Sequence, residues 1–326
     1  MKNKKVLAAV IFVIAVALGY FGYKSIYQKN GEPLVPVKVG LSWIHEAQFA
    51  GEYYADQYGL YKKEGLAAEL IPYDYSDLVE KLISGEYDFT ILQGDTLLQA
   101  RADGKPIVGL FVTYRKSPTV YFTKKESGIR HPLDFVGKKV GVAYSERIPL
   151  VNMLKQYDIN ENSVKIIDRE YNYEPLLSGE YDVEAGWITD LDAVEKLGMK
   201  DPNVIRASDH NSNIYADIIS TTEEKLRENP GLVQKFIRAT SRGWEEAAKN
   251  PAESALLALK YDPEADSEHL KFVLEASLPL IRISKSAKIG ESAFIEWDRM
   301  YRILREQGIL ERDIDIEQAY TNKFLK

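Results

Sequence analysis

The five-residue segment Ser-Gly-Glu-Tyr-Asp occurs twice in the chain, at residues 84–88 and at residues 178–182. Each copy follows a short helical pattern and precedes an apolar run. Each therefore predicts the last turn of a helix, a left-handed residue at Gly85 or Gly179, and the start of a strand. A helix exit of this kind can recur by chance, whereas duplication of one structural unit requires that more than these five residues correspond.

A second correspondence lies upstream of each copy. Apolar runs at Val37–Leu41 and Val140–Ala143 are both followed by helical patterns. This alternation is expected for βαβ units, in which helices cover a parallel sheet. A chain of 326 residues also exceeds the size at which a single core usually keeps growing. We therefore predict an α/β fold with two similar lobes and a cleft between them.

The pattern becomes almost wholly helical from Ile214 onward, where two Asn-Pro pairs mark helix starts. A helical C-terminal part that follows two α/β units should return to cover the first one. We predict that residues 37–115 and 216–326 form lobe I and that residues 116–215 form lobe II. The chain then crosses between the lobes twice, and paired crossings of this kind act as hinges that let two lobes close on a ligand.

The first thirty residues differ in composition from the rest. Three lysines precede an uncharged run at residues 6–23, and its 18 residues are near the lower limit for a membrane-spanning helix. Residues 15–17, Ala-Val-Ala, match a signal-peptide cleavage pattern, but apolar residues continue beyond them. We predict an uncleaved signal anchor at residues 1–30, with a cleaved signal peptide as the alternative. A short linker at residues 31–36 would then join it to the extracytoplasmic lobes.

The charge of the remaining chain argues against some partners. Residues 1–30 carry five lysines and no acidic residue, so the other 37 basic and 49 acidic side chains give a net charge of −12. A domain this acidic is a poor binder of nucleic acid or anionic lipid. A small anionic ligand is not excluded, because a few local donors decide its binding. The chain has no cysteine, hence no disulfide and no thiol for a lipid anchor.

Motifs typical of enzymes are absent from the sequence. His45-Glu46 lacks the second histidine of a zinc-protease helix, and the other three histidines are scattered. The sequence also contains no Gly-x-Ser-x-Gly elbow and no glycine-rich phosphate loop. We therefore predict no catalytic residues, no metal site and no cofactor.

Four segments carry a resemblance to a known family. They are Trp43-x4-Gln48-x-Ala50-Gly51, Tyr58-Gly59-Leu60-Tyr61-x3-Gly65-Leu66, Asp134-Phe135-x-Gly137-Lys138-Lys139-Val140-Gly141, and Val233-x2-Phe236-x2-Ala239-x3-Gly243-Trp244-x2-Ala247-x2-Asn250-Pro251. Together they resemble the NMT1/THI5-like substrate-binding proteins for thiamine-pyrimidine precursors. The resemblance extends over about residues 37–310.

The resemblance implies a type II periplasmic-binding fold and an extracytoplasmic solute-binding protein of an ABC importer. Its partners would be a small-molecule ligand, an ABC permease and an ATPase, and the membrane through residues 6–23; we expect a monomer. A sensory component that works with a separate membrane kinase is one alternative. A pyrimidine- or menaquinone-pathway enzyme on the same fold is another. The fungal pyrimidine enzymes of this group use iron and a cysteine-rich motif, which a chain without cysteine lacks.

Candidate ligand-binding residues follow the strands of both lobes. In open α/β sheets a ligand lies beyond the carboxyl ends of the strands, and in two facing lobes these ends converge on the cleft. The residues predicted there are rich in aromatic and hydrogen-bonding side chains. They are Trp43, Gln48, Tyr73, Gln93, Asp95, Tyr114, Tyr144, Ser145, Glu146, Trp187, Asp190 and Tyr215.

Two tryptophans are the candidates for stacking on a flat ring. Trp43 and Trp187 would provide one aromatic wall from each lobe, or else they are ordinary core residues. Trp244 and Trp297 are expected in the core, because they lie on helical faces. Gln48 would offer its amide to the edge of a heterocycle, or would only cap a helix. A thiamine-pyrimidine precursor is the first ligand candidate, and a riboflavin-like compound is the second.

The remaining candidates determine the charge and the edges of the cleft. Asp95, Glu146 and Asp190 make it acidic, which favours a neutral or cationic ring over sulfonate or nitrate. Ser145 and Glu146 begin a predicted helix, where backbone N–H groups are available to a ligand, although the serine can equally serve as an ordinary N-cap. Tyr114 and Tyr215 are placed at the two crossings, where they line the cleft or pack the hinge.

Overall fold

The computed structural model describes residues 33–284 and 286–325. The signal anchor predicted at residues 1–30 lies outside this part of the chain. No helix within the described residues is both long enough and apolar enough to span a bilayer.

Within the described residues, ten strands form two five-stranded sheets. They are β1 (Val35–Gly40), β2 (Leu66–Ile71), β3 (Phe89–Leu92), β4 (Ile107–Tyr114), β5 (Thr119–Thr123), β6 (Lys139–Val142), β7 (Lys165–Asp168), β8 (Val183–Trp187), β9 (Asn203–Arg206) and β10 (Ala216–Thr222). The strand order is β2-β1-β3-β10-β4 in the first sheet and β7-β6-β8-β5-β9 in the second. The two similar α/β lobes predicted from the repeat are confirmed.

Helices surround both sheets in the described part of the chain. They are α1 (Ala50–Gln57), α2 (Leu60–Lys63), α3 (Leu78–Ile83), α4 (Gly94–Ala102), α5 (Tyr144–Gln156), α6 (Glu174–Ser178), α7 (Leu191–Lys196), α8 (Glu223–Glu228), α9 (Pro230–Ala247), α10 (Pro251–Ala255), α11 (Ser267–Ile281) and α12 (Phe294–Glu306). Trp244 of α9 and Trp297 of α12 are fully buried, as predicted.

The sheets are mixed, which corrects the prediction of parallel sheets. In the first, β1 pairs in parallel with β2 and β3, whereas β10 is antiparallel to β3 and β4. In the second, β6 pairs in parallel with β7 and β8, whereas β5 is antiparallel to β8 and β9. Both β5 and β10 enter their sheets directly from a crossing between the lobes, and this entry reverses their direction.

The repeated segment makes the same backbone contacts in both lobes. Asp88 accepts a hydrogen bond from the Lys38 N–H (2.8 Å) and donates its own N–H to the Lys38 carbonyl (2.9 Å). Asp182 makes the same two bonds with Lys139, both at 2.9 Å. The aspartate of each copy therefore fixes the register between β1 and β3 in lobe I and between β6 and β8 in lobe II.

The tyrosine of each copy explains the glycine in the facing strand. A Cβ atom on Gly40 would lie 2.6 Å from Tyr87 Cδ2, and one on Gly141 would lie 2.5 Å from Tyr181 Cδ2. Only a residue without a side chain lets the ring lie this close to the strand. The repeat therefore includes both the turn and its packing partner in the sheet.

The first strand begins earlier than predicted. Val35 and Pro36 pair with β2, so they belong to the sheet and not to a linker at residues 31–36. The Val35 N–H bonds to the Gly65 carbonyl on the β2 side, and alternation then directs the Pro36 nitrogen to the opposite side. There β3 pairs only with Val39 and Gly40, so Pro36 faces no strand that requires an N–H donor.

The chain passes between the sheets at residues 115–118 and 211–215, and Asn213 joins the two crossings. Its Oδ1 accepts from the Ser117 N–H at 2.7 Å, and its Nδ2 donates to the Arg115 carbonyl at 3.2 Å. Nδ2 also donates to Glu296 Oε2 at 3.1 Å. One amide therefore couples both crossings to helix α12.

Candidate functional site

A cavity of about 470 Å³ lies between the lobes, where the carboxyl ends of β1, β3, β6 and β8 converge. This volume is in the range usual for small-molecule sites. Ten of the predicted site residues line it: Trp43, Gln48, Tyr73, Gln93, Asp95, Ser145, Glu146, Trp187, Asp190 and Tyr215. The strand-end rule therefore locates the cavity and ten of the residues in its wall.

Two predicted residues do not line this cavity. Tyr114 is fully buried behind Trp187, with the ring centroids 5.7 Å apart, and its hydroxyl bonds to Ser277 Oγ at 2.7 Å. Tyr114 therefore supports the Trp187 wall from behind. Tyr144 is 64% exposed at the first position of α5. The N-cap of α5 is Ala143, so Ser145 does not cap this helix.

An aromatic pair bridges the two lobes at the cavity. The ring of Trp43 lies 5.3 Å from that of Tyr171, with 55° between the ring planes. Tyr171 follows β7 and also lines the cavity. Sequence reasoning missed Tyr171 because it did not identify β7. The Arg169 guanidinium lies 5.2 Å from the centroid of the Tyr171 ring and restrains it from behind.

A buried carboxylate below the cavity holds three of its lining residues. Asp217 Oδ1 accepts from Ser42 Oγ (2.7 Å) and from Gln93 Nε2 (3.2 Å), and Oδ2 accepts from Gln48 Nε2 (3.1 Å). Burial raises the Asp217 pKa to about 6, against the lowering effect of these three hydrogen bonds. An aspartate inside the strand Ala216–Thr222 is the sequence feature that could have indicated this buried carboxylate, and sequence reasoning did not use it.

Glu146 forms a buried ion pair with Arg169 inside lobe II, which changes its expected role. Both of its carboxylate oxygens accept from Arg169, at 3.2 and 3.0 Å, and Oε2 also accepts from the Ala143 N–H at 2.8 Å. Arg169 also reaches Glu184 Oε1 at 3.5 Å, and burial raises the Glu184 pKa to about 7. Glu146 thus orients the start of α5 and contributes little free charge to the cavity.

Two further acids in the wall are partly desolvated. Burial raises the pKa of Asp190, whose Oδ2 accepts from the Trp187 N–H at 2.9 Å and from the Tyr173 hydroxyl at 2.5 Å. Burial also raises the pKa of Asp95, in the first turn of α4. Asp190 thereby fixes the backbone at Trp187, one of the two proposed aromatic walls.

The charge of the wall restricts its possible ligands. Among the described lining residues five are carboxylic acids, Glu46, Asp77, Asp95, Glu146 and Asp190, and none is lysine, arginine or histidine. Such a wall favours a neutral or cationic ligand that donates hydrogen bonds. No group of three His, Asp or Glu side chains in the described ranges is arranged to hold a metal ion.

Comparison with known proteins gives relatives over almost the whole chain. A family model described as NMT1/THI5 like matches residues 46–254. The riboflavin-binding protein RibY of Chloroflexus aurantiacus is 28% identical, over 91% of this chain and 88% of its own length. A 4-amino-5-hydroxymethyl-2-methylpyrimidine phosphate synthase of Legionella pneumophila is 25% identical, over 87% and 90%. A formylaminopyrimidine-binding protein of Halalkalibacterium halodurans is 23% identical, over 99% of both chains.

Solved structures show the same fold. The periplasmic aliphatic sulphonate binding protein SsuA of Escherichia coli superposes with a TM-score of 0.71 at 15% identity, over 87% of this chain and 91% of its own. The two lobes thus have the architecture of periplasmic binding proteins.

Proposed function

The chain belongs to the NMT1/THI5-like family, and from this premise we propose that it is an extracytoplasmic solute-binding protein of an ABC importer. It captures a small heterocyclic nutrient between its two lobes. The observation that carries the proposal is the cavity at the lobe interface, which has aromatic walls and hydrogen-bonding groups but no basic side chain among the described lining residues. An ABC permease and its ATPase would receive the ligand, and residues 6–23 would tether the protein to the membrane.

The character of the wall favours a flat, uncharged or cationic ring. Trp43 and Trp187 provide one aromatic surface from each lobe, and aromatic rings stack well on heterocycles. The sulphonate named for SsuA carries a negative charge, for which this wall offers no cationic partner. A thiamine-pyrimidine precursor is our first candidate. The similarity to RibY supports a riboflavin-like ligand as the second.

We favour binding over catalysis, although two of the relatives are named as synthases. None of the described lining residues is a cysteine, a histidine or a lysine, so no lining serine has a neighbouring histidine or lysine in the wall to activate it as a nucleophile. The lining carboxylates Glu146 and Asp190 are already engaged by Arg169, Tyr173 and backbone N–H groups. They stabilise the wall and are poorly placed to exchange protons with a substrate.

Thermal unfolding of the purified full chain tests this proposal. The panel consists of hydroxymethylpyrimidine, formylaminopyrimidine, thiamine and riboflavin, with taurine and nitrate as anionic controls. A ligand at about 100 times its dissociation constant should stabilise the protein by about 2.7 kcal/mol. Stabilisation by one heterocycle supports the proposal. Stabilisation by taurine or nitrate alone, or by none of the six from ligand-free protein, would contradict it.

Uptake measurements separate transport from sensing. Deletion of the protein should abolish uptake of the labelled ligand if it supplies an importer. Unchanged uptake, with a lost transcriptional response to the ligand, would instead support a sensory component that works with a membrane kinase.

A further inference from the structure

Three polar residues of the cavity wall depend on one acid that does not line the cavity. Ser42, Gln48 and Gln93 all line the cavity, and each donates a hydrogen bond to the fully buried Asp217. The hydrogen bonds come from three separate places in the chain and converge on the two carboxylate oxygens.

The chemistry of a carboxylate determines how these groups face the ligand. An ionised carboxylate only accepts hydrogen bonds, so each glutamine must turn its NH₂ toward Asp217 and its carbonyl oxygen away. Neither Gln48 Oε1 nor Gln93 Oε1 has a hydrogen-bond partner among the described residues. Ser42 uses its single hydroxyl hydrogen on Asp217 at 2.7 Å, so its oxygen can only accept from a ligand.

We propose that Asp217 is a positioning residue that holds Ser42, Gln48 and Gln93 so that their three oxygens face the ligand as hydrogen-bond acceptors. This surface selects the amino-bearing edge of a heterocycle over a carbonyl-bearing edge. The inference rests on the proposed function and narrows its ligand class to aminopyrimidines. An amino group donates hydrogens to such a surface, whereas a ring carbonyl would place an acceptor against acceptors and leave both unsatisfied.

The backbone conformation of Asp217 is unusual for a strand residue, which suggests that its side chain is needed at this position. Its φ is +49°, in the left-handed region that a β-strand residue rarely adopts. It lies in β10, directly after the second crossing, so its carboxylate reaches residues that follow β1 and β3. Asparagine tolerates the same backbone region, so Asp217→Asn tests the charge without disturbing the strand.

Asparagine at this position cannot accept from all three donors. It has one acceptor oxygen and one NH₂, so at least one glutamine must flip and present its own NH₂ to the ligand. The variant therefore removes an acceptor from the wall without removing a side chain. A role that is only structural would lower thermal stability but leave the choice of ligand unchanged.

Titration calorimetry tests the inference on the full chain. The probes are 4-amino-5-hydroxymethyl-2-methylpyrimidine and its 4-oxo analogue, in which a carbonyl replaces the exocyclic amino group and a ring nitrogen carries the hydrogen. The wild-type protein should prefer the amino compound by at least about tenfold, and Asp217→Asn should reduce this preference to about threefold or less. Gln93→Met, which removes one acceptor, should weaken binding of the amino compound by about tenfold.

The control is Glu52→Gln, which makes the same acid-to-amide change at another fully buried side chain of lobe I that does not line the cavity; it should keep the wild-type preference. Equal wild-type affinity for the two pyrimidines, or a preference for the oxo compound, would overturn the inference and leave the solute-binding proposal intact. An unchanged preference in a folded Asp217→Asn protein would also overturn it. If neither pyrimidine binds but riboflavin does, the inference fails alone. If no heterocycle binds, the proposed function fails with it.

Discussion

Burial in the core disfavours the charged form of individual acidic side chains, as Glu52 shows. Glu52 of α1 is fully buried against α9, where Trp244 Nε1 donates to its Oε1 at 3.2 Å. Its Oε2 has no hydrogen-bond partner within the described residues. Burial raises the Glu52 pKa from 4.5 to about 8, so the folded protein holds this carboxyl in its neutral form at neutral pH.

Replacement of Glu52 by glutamine should change how stability depends on pH. Because the folded-state pKa is raised, the favourable contribution of the neutral acid is complete below about pH 4.5 and is lost as the pH rises through about 8. Glutamine cannot ionise and keeps the oxygen that accepts from Trp244. We expect the free energy of unfolding of Glu52→Gln to exceed that of the wild type by more at pH 9 than at pH 5. Denaturant titrations at both values measure this difference, and equal differences would contradict the assignment.

Trp43 should contribute directly to affinity. If its ring stacks on the ligand, Trp43→Ala should weaken binding by at least about tenfold, which corresponds to about 1.4 kcal/mol. Tyr58→Ala, which removes an exposed aromatic ring of lobe I that does not line the cavity, is the matched control. Titration calorimetry measures the affinity of both variants for the ligand. If Trp43→Ala binds as tightly as Tyr58→Ala, Trp43 does not stack on the ligand.

Strands and turns repeat their packing in the two lobes. Strands β1 and β6 each lie against the tyrosine of a repeated segment, and each turn contains a left-handed glycine, Gly85 at φ +76° and Gly179 at φ +83°. Both units therefore require a glycine in the strand that faces the tyrosine and a left-handed glycine in the turn, although they lie about a hundred residues apart in the chain.

A methyl group between strand and ring should destabilise either lobe. In Gly141→Ala the new Cβ would lie 2.5 Å from Tyr181 Cδ2, and overpacking of this kind typically costs about 1–3 kcal/mol. Gly40→Ala should do the same through Tyr87. Gly231→Ala is the control, because no atom lies within 4 Å of the added Cβ. Urea denaturation compares the three variants; an unchanged midpoint for Gly141→Ala would mean that Tyr181 moves away freely.

The two lobes are joined by an ionic contact beside the cavity. His269 of α11 donates to Glu46 Oε1 of lobe I and contacts Asp192 of α7 in lobe II, both at 2.9 Å. Lys196 of α7 also pairs with Asp266 at 2.7 Å. The hydrogen bonds with Glu46 and Asp192 raise the His269 pKa to about 9, against the opposing effect of burial.

Closure of the whole molecule should therefore depend on pH. Since the pKa of His269 is raised above 6.5, its contribution is complete below that pH and is lost as the pH rises through about 9. We expect the ligand-free lobes to separate more at pH 10 than at pH 7, as measured by fluorescence energy transfer between labels on the two lobes. His269→Gln should abolish this change, whereas His210→Gln, in lobe II, should retain it. A separation independent of pH in the wild type would contradict the prediction.

Local sequence patterns were enough to predict the two lobes, most of the strand ends and ten residues of the cavity wall. These features follow from periodicity, turn chemistry and the rule that parallel strands direct their carboxyl ends to one edge.

Contacts between distant segments were not predictable in this way. Asp217 lies 175, 169 and 124 residues from Ser42, Gln48 and Gln93, and no local pattern relates a buried acid to partners so remote. Tyr114, placed in the cleft by its position after a strand, is behind Trp187, because the direction of a side chain at a strand end depends on the residues packed around it.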